Sequence, residues 1–346
     1  MSILKMNRED FSIFANYKDE HGKDLVYLDT AASSLTPDIV VNTMNEYYFK
    51  YRSNIDRGLY KSAATATGKY NEAREVVAKF FNSEADEVIF TSGSTDGSNK
   101  LVRMLEQLVT PNKNKILVSK FAHHSDLVPL QELAKRNNLT ISAHTFEEMV
   151  ELIDSNTFIV SCPIASNVTG EIFDVAKLAE KSKAFGVYII SDATAAAGHV
   201  DISFKKLNLD AMYMSAHKMC GPTGVGALII KRDLLRNLRP VTFGGGMVWE
   251  VGETESSYRS DVRAHEAGTA GIAEVIGFAA AIKYIQDNNI LSQNSHIADL
   301  VEYAISKLSE LDDVQVSSNT NNNVGIVSFS DRKSTRLNSS HRCLSR

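Results

Sequence analysis

Residues 215–230 read SAHKMCGPTGVGALII. An apolar run, Ala211–Met214, leads into Ser215, and Lys218 follows beside His217. Three glycines and a proline come within the next eight positions. A lysine delivered by a buried strand has a reason to be there. Burial favours its neutral form, and a neutral amine condenses with an aldehyde. The plain alternative is a lysine exposed at a turn. Ser215 and His217 could bond a phosphate, and the glycines let the loop lie close to a flat ligand.

Outward from this stretch the chain alternates short apolar runs with amphipathic ones. DEVIFTSGS (86–94), KILVS (115–119), TFIVSCPIAS (157–166) and VYIISDAT (187–194) read as strands ending in polar loops. TISAHTF (140–146) is a further strand, and DAMYMSAHK (210–218) and GVGALIIK (224–231) are two strands around a Gly-Pro turn. Between them, SNKLVRMLEQLV (98–109) places Leu101, Met104, Leu105 and Leu108 on one helical face. HSDLVPLQELAKRNN (124–138) and VAKLAEKSKAFG (175–186) are also helical, the second with a glycine stop. VGIVSFS (324–330) reads as a last strand. The alternation predicts an α/β fold, a mostly parallel sheet sandwiched by helices. In such sheets ligands sit at the carboxyl ends of the strands. The loops TSGST, ASNVTG, SDAT and SAHK all fall there, which points to one shared site.

Each loop has candidates. In TSGSTDGSN (91–99), Ser94 and Thr95 begin a helix whose free N–H groups suit a phosphate; a Ser/Thr helix cap looks the same. Asp192 ends a buried strand and could face a pyridinium nitrogen, or cap the turn that follows. His123 could stack on a planar ring, or make a local bond at a helix start. Asn167 could orient a substrate, or serve its own turn.

Composition narrows the class. The net charge of −5 argues against nucleic-acid binding and gives no attraction to a membrane. No apolar run approaches the roughly 20 residues that span a bilayer. The opening MSILKMNRED turns polar too early for a signal peptide. Three cysteines without CxxC spacing exclude a disulfide framework and a cysteine metal site, so no metal is expected and a cytoplasmic setting is.

The ordered set TSGST, AHHS, SNVTG, SDAT and SAHK-x-x-GPTGVGAL resembles the class V aminotransferases, and most of all the SUF-type cysteine desulfurase / selenocysteine lyase branch. YLDTAASSLTP (27–37), FGGGM (243–247) and HEAGTAG (265–271) resemble further motifs of that branch. The resemblance spans about residues 20 to 330. It implies the type I fold of pyridoxal-phosphate (PLP) transferases, with Lys218 holding the cofactor and shuttling protons at the substrate Cα. It further implies Asp192 at the pyridine nitrogen, His123 on the ring, and Ser94, Thr95, Ser215 and His217 at the phosphate. Thr269 would reach the phosphate of the other subunit in a homodimer. Asn167 and Arg57 would lie near the substrate. The substrate would be L-cysteine or L-selenocysteine, and a sulfur-acceptor protein is a possible partner in iron–sulfur assembly.

Three positions depart from the pattern. Ala195 stands where the family has a glutamine that bonds the ring oxygen. Ala122 stands where a glutamate often precedes the stacking histidine, and Asp56 where a histidine precedes Arg-Gly. Other class V activities therefore stay open: an aminotransferase, an epimerase-like enzyme or a kynureninase-like hydrolase.

The expected layout has four parts. Residues 1–25 pack with a small domain, 26–271 form the large PLP domain, and 272–330 begin an incomplete small α+β domain. Residues 331–346, DRKSTRLNSSHRCLSR, resemble a translated sequencing adapter, so Cys343 is set aside as the sulfur-carrying thiol. Cys162 and Cys220 are set aside as ordinary residues. A third expectation follows from this layout: the chain is an inactive truncated fragment.

Overall fold

The computed structural model describes residues 7–331. Its centre is a seven-stranded sheet made of β1 (Val88–Thr91), β2 (Lys115–Ser119), β3 (Thr140–His144), β4 (Thr157–Ser161), β5 (Tyr188–Asp192), β6 (Ala211–Ser215) and β7 (Gly226–Ile230). The order across the sheet is β1-β7-β6-β5-β4-β2-β3. Strands β6, β5, β4, β2 and β3 pair in parallel, while β7 runs antiparallel to both neighbours. The Gly-Pro turn between β6 and β7 is too short for a crossover helix, so the chain must return antiparallel.

Strand residues alternate between two apolar layers, as the two-residue period of a strand demands. On one face Val88, Phe90, Val160, Ile189, Met212 and Ile229 meet the helices Lys61–Phe80, Val175–Ala184 and Ile272–Asp287. On the other, Ile89, Ile116, Ile159, Ile190, Tyr213 and Leu228 meet the helices Ser94–Leu105 and His124–Asn137. Leu101, Met104 and Leu105 are buried there and Leu108 partly so, as their spacing predicts. Burying both faces explains why these strands are continuously apolar.

The helix Ile272–Asp287 is almost wholly apolar because it is enclosed. Its other side packs on the helix Asp38–Glu46 and on Phe11 of the N-terminal segment. Two small antiparallel pairs lie apart from the main sheet: β8 (Val248–Val251) with β9 (Ser256–Tyr258), and β10 (Val314–Val316) with β11 (Phe329–Asp331).

The strand expected over 324–330 is a correction. Only Phe329–Asp331 is strand. Asn323 Oδ1 accepts the N–H groups of Gly325 and Ile326, and Gly325 has φ +102°. That side chain bends the backbone into a turn that a strand could not follow. Of the stretch 331–346, Asp331 pairs with Val314; the rest, Cys343 included, lies outside the described residues. No helix among the described residues is long and apolar enough to cross a membrane.

Candidate active site

A cavity of about 660 Å³ opens at the carboxyl ends of β1, β4, β5 and β6. Ser94, Thr95, His123, Asn167, Asp192, Ser215, His217 and Lys218 all line it. The four loops singled out by their position in the sequence therefore share one site.

Strand β6 delivers Ser215 and then a single tight turn, Ala216–Lys218. The turn is held from outside. Ser34 donates to the His217 carbonyl through its N–H (2.8 Å) and its Oγ (2.9 Å), and its Oγ accepts the Cys220 N–H at 2.7 Å. Ser33 Oγ lies 3.2 Å from His217 Nδ1. YLDTAASSLTP is thus a clamp on the lysine turn, a role its residues give no local sign of. Burial lowers the Lys218 pKa, opposed by the charges of Asp192 and Asp29. The amine is therefore more readily neutral than an ordinary lysine.

The helix Ser94–Leu105 starts against the same turn. The Ser94 N–H donates to Ser215 Oγ at 2.7 Å, and Ser215 Oγ donates to Ser94 Oγ at 3.0 Å. Its N-cap is Gly93, at φ +148°, with no side-chain cap. A Cβ on Gly226 would fall 2.8 Å from Gly93 Cα and 2.3 Å from the Met214 carbonyl. Only glycines allow this close crossing of β7 and the helix start. The result is an uncapped helix N-terminus ringed by hydroxyls, which is chemistry for a phosphate.

His123 combines both roles open to it. It is the N-cap of the helix His124–Asn137, with Nδ1 accepting the Ser125 N–H at 3.1 Å, and its ring lines the cavity. That bond leaves Nε2 to carry the ring proton, and burial lowers the pKa, opposed by the charge of Asp192, which favours the neutral ring. Asp192 is likewise double. Its Oδ1 accepts the Thr194 N–H at 2.8 Å. Its Oδ2 takes no hydrogen bond among the described residues. Burial also lowers the His217 pKa, as does the charge of Lys218. Asn167 is half-buried on a turn held by Ser166 Oγ.

Thr194 was not anticipated. It is 6% exposed, its Oγ1 has no partner among the described residues, and it lines the cavity with Asp192 and Lys218. A buried hydroxyl left unpaired is costly and marks a place for a ligand atom. An unpaired carboxylate oxygen, a neutral amine, an imidazole face and an uncapped helix start surround one space. PLP has a ring nitrogen, an aldehyde, a flat ring and a phosphate, and these residues fit it.

Two candidates lie elsewhere. Thr269 is exposed and lines a separate depression of about 210 Å³ with Thr91, Asp96, Lys100 and Glu266. Arg57 is exposed and does not line the cavity. Its neighbour Asp56 pairs with Arg263 at 2.8 Å. Ala195 lines the cavity wall, and Gly325–Ser328 forms part of that wall, the stretch read above as strand. Cys162 and Cys220 are buried free thiols; burial raises both pKa values, that of Cys220 to about 11.

The family described as aminotransferase class-V matches residues 26–339. A probable cysteine desulfurase of Staphylococcus aureus is 34% identical over 305 residues, covering 86% of this chain and 74% of that protein. The solved cysteine desulfurase of Thermococcus onnurineus NA1 superposes with a TM-score of 0.87 at 31% identity, covering 93% of this chain and 81% of that one. A cysteine desulfurase of Escherichia coli gives 0.84 at 27% identity, covering 94% and 81%.

Proposed function

This chain belongs to the class V aminotransferase family, and on that premise we propose that it is a PLP-dependent cysteine desulfurase. It takes L-cysteine, or L-selenocysteine, to L-alanine. The Cβ–S bond breaks, and the sulfur passes to a thiol as a persulfide. The observation that carries this reading is Lys218, held on the tight turn after β6 in the same cavity as Asp192, where burial lowers its pKa.

When bound, PLP supplies an electron sink that weakens the bonds at the substrate Cα. The residues divide the remaining work. Lys218 Nζ holds the cofactor, then takes a proton from the substrate Cα and returns it. Asp192, whose Oδ1 alone takes a hydrogen bond among the described residues, would keep a proton on the ring nitrogen. His123, which lines the same cavity, would lie against the ring, and burial favours its neutral form. Ser94, Thr95, Ser215 and His217 hold the phosphate. Asn167 and Arg57 orient the substrate. Thr269 serves the phosphate of a second copy in a homodimer, which accounts for its exposure outside its own cavity.

Sulfur transfer needs a thiolate. Cys162 and Cys220 are not suited, because burial holds both as thiols. The acceptor is therefore another thiol, and iron–sulfur assembly in the cytoplasm is the process that would use the sulfur. The large domain 26–271 and the beginning small domain 272–330 belong to the same proposal; the β10–β11 pair lying apart from the main sheet supports it, while the helix Ile272–Asp287 packs on the large domain's sheet.

The test is to load the purified chain with PLP, supply L-cysteine and a dithiol, and measure alanine and sulfide together. Equal amounts of both are expected. Alanine or a keto acid formed without sulfide, from amino-donor and keto-acid pairs, would assign another class V activity.

A further inference from the structure

Asp126 is a buried acid that none of the roles above uses. It is 0% exposed, in the first turn of the helix that His123 caps. Tyr213 Oη donates to Oδ1 at 2.6 Å. Ser161 Oγ lies 2.8 Å from Oδ1 and 2.8 Å from Oδ2. A hydroxyl has one proton and donates fully to one oxygen. Both contacts are satisfied together when the carboxyl keeps a proton and donates it to Ser161 Oγ. Ser161 ends β4 and Tyr213 lies in β6. Between those strands runs β5, which ends in Asp192, and Tyr213 is the ladder partner of Asp192.

The acid is thus tied to both strands that flank Asp192. The groups facing it are Tyr213 from β6, Ser161 and the Cys162 thiol from the β4 end, and Asp192 from β5. No lysine or arginine forms an ion pair with it among the described residues. Burial pushes its pKa up to about 7, with Asp192 adding to the rise and the Tyr213 and Ser161 bonds opposing it.

We propose that Asp126, tied through Tyr213 and Ser161 to both strands that flank Asp192, is a positioning residue for Asp192: in its protonated form it leaves the buried negative charge to Asp192, and in its ionised form it adds a second negative charge beside that carboxylate. The inference rests on the reading of Asp192 as the partner of the ring nitrogen. The second charge strengthens the hold on positive charge in the cavity.

The test uses the full chain loaded with PLP. Asp126→Asn keeps an acceptor for Tyr213 and a donor for Ser161, so it mimics the protonated acid. The cofactor's visible absorption is followed against pH. The midpoint of its change should fall by about half a pH unit or more in the variant, because nearby negative charge favours the protonated form. Tyr213→Phe, which keeps the acid and removes its donor, should shift the midpoint the same way. Unmoved midpoints in both variants overturn the proposal, provided Asp192→Asn does move it. If Asp192→Asn is also without effect, the reading of Asp192 itself fails.

Melting without cofactor gives an independent readout. The folded-state pKa is raised above the ordinary 3.8, so the folded chain holds an extra proton up to about pH 7. Wild-type stability should therefore fall across that window relative to Asp126→Asn. A melting difference that is flat with pH also overturns the proposal.

Discussion

The cavity at Lys218 and the cluster at Glu266 are both buried and charged, yet they are built in opposite ways. At Glu266 the carboxylate is paired on every side. Arg74 meets it with two bonds, Nη1 to Oε1 at 2.7 Å and Nη2 to Oε2 at 2.8 Å. The Phe90 N–H adds a bond at 2.7 Å and Tyr70 Oη one at 3.3 Å. Among the described residues two nearby side-chain atoms are buried without a hydrogen bond, His265 Nδ1 and Arg263 Nε; the second still pairs in charge with Glu266 Oε2 at 3.2 Å. At Lys218 the unpaired groups converge on one space: Thr194 Oγ1, Asp192 Oδ2 and the amine. Paired buried charge holds a fold together; buried polar groups left open around a common void await a ligand.

Lys218→Ala would sharpen this contrast most. It should abolish turnover, by about a thousandfold or more, and remove the visible cofactor band, since Lys218 is the one lysine among the described residues that line the cavity. The melting temperature without cofactor should barely move; a large loss would mean that Lys218 is structural. Glu266→Ala is the mirror experiment. It strands the Arg74 charge in the core and should cost about 3–5 kcal/mol in denaturant unfolding. A loss within the range of surface substitutions would break the contrast from the other side.

The lowered Lys218 pKa sets a third measurement. The rate at which the cofactor-free chain captures PLP should rise about tenfold per pH unit while the amine is mostly protonated. The rise should level off below an ordinary lysine's 10.5, because burial favours the neutral amine. Levelling at 10.5 would mean that the amine is solvated. The smallest effect separates the two roles of His123. Asn is a good N-cap, so His123→Asn should keep stability within about 0.5 kcal/mol. Losing the ring should weaken PLP binding by about two- to tenfold. An unchanged affinity would leave His123 as a cap alone.

Local signals were legible where neighbours in sequence are neighbours in space. The helical face of Leu101, Met104 and Leu105, the strand endings and the lysine after an apolar run are all of that kind. The Asp126 network was not, because its partners Ser161 and Tyr213 are 35 and 87 positions away. Arg74 and Glu266 are 192 apart. Residues 324–328 misled because their composition suits a strand, while one side chain, Asn323, turns the backbone.

What the sequence by itself determined is the α/β alternation, the polar loops at strand ends and the lysine motif with its family. Period and spacing are local properties, and a short motif carries its own chemistry. Only the tertiary structure decided which buried charges find partners. It closed Glu266 against Arg74, tied Asp126 between β4 and β6, and left Thr194 and Asp192 open toward Lys218. Pairing depends on where distant segments meet, and a buried polar group gains or loses several kcal/mol by that meeting alone.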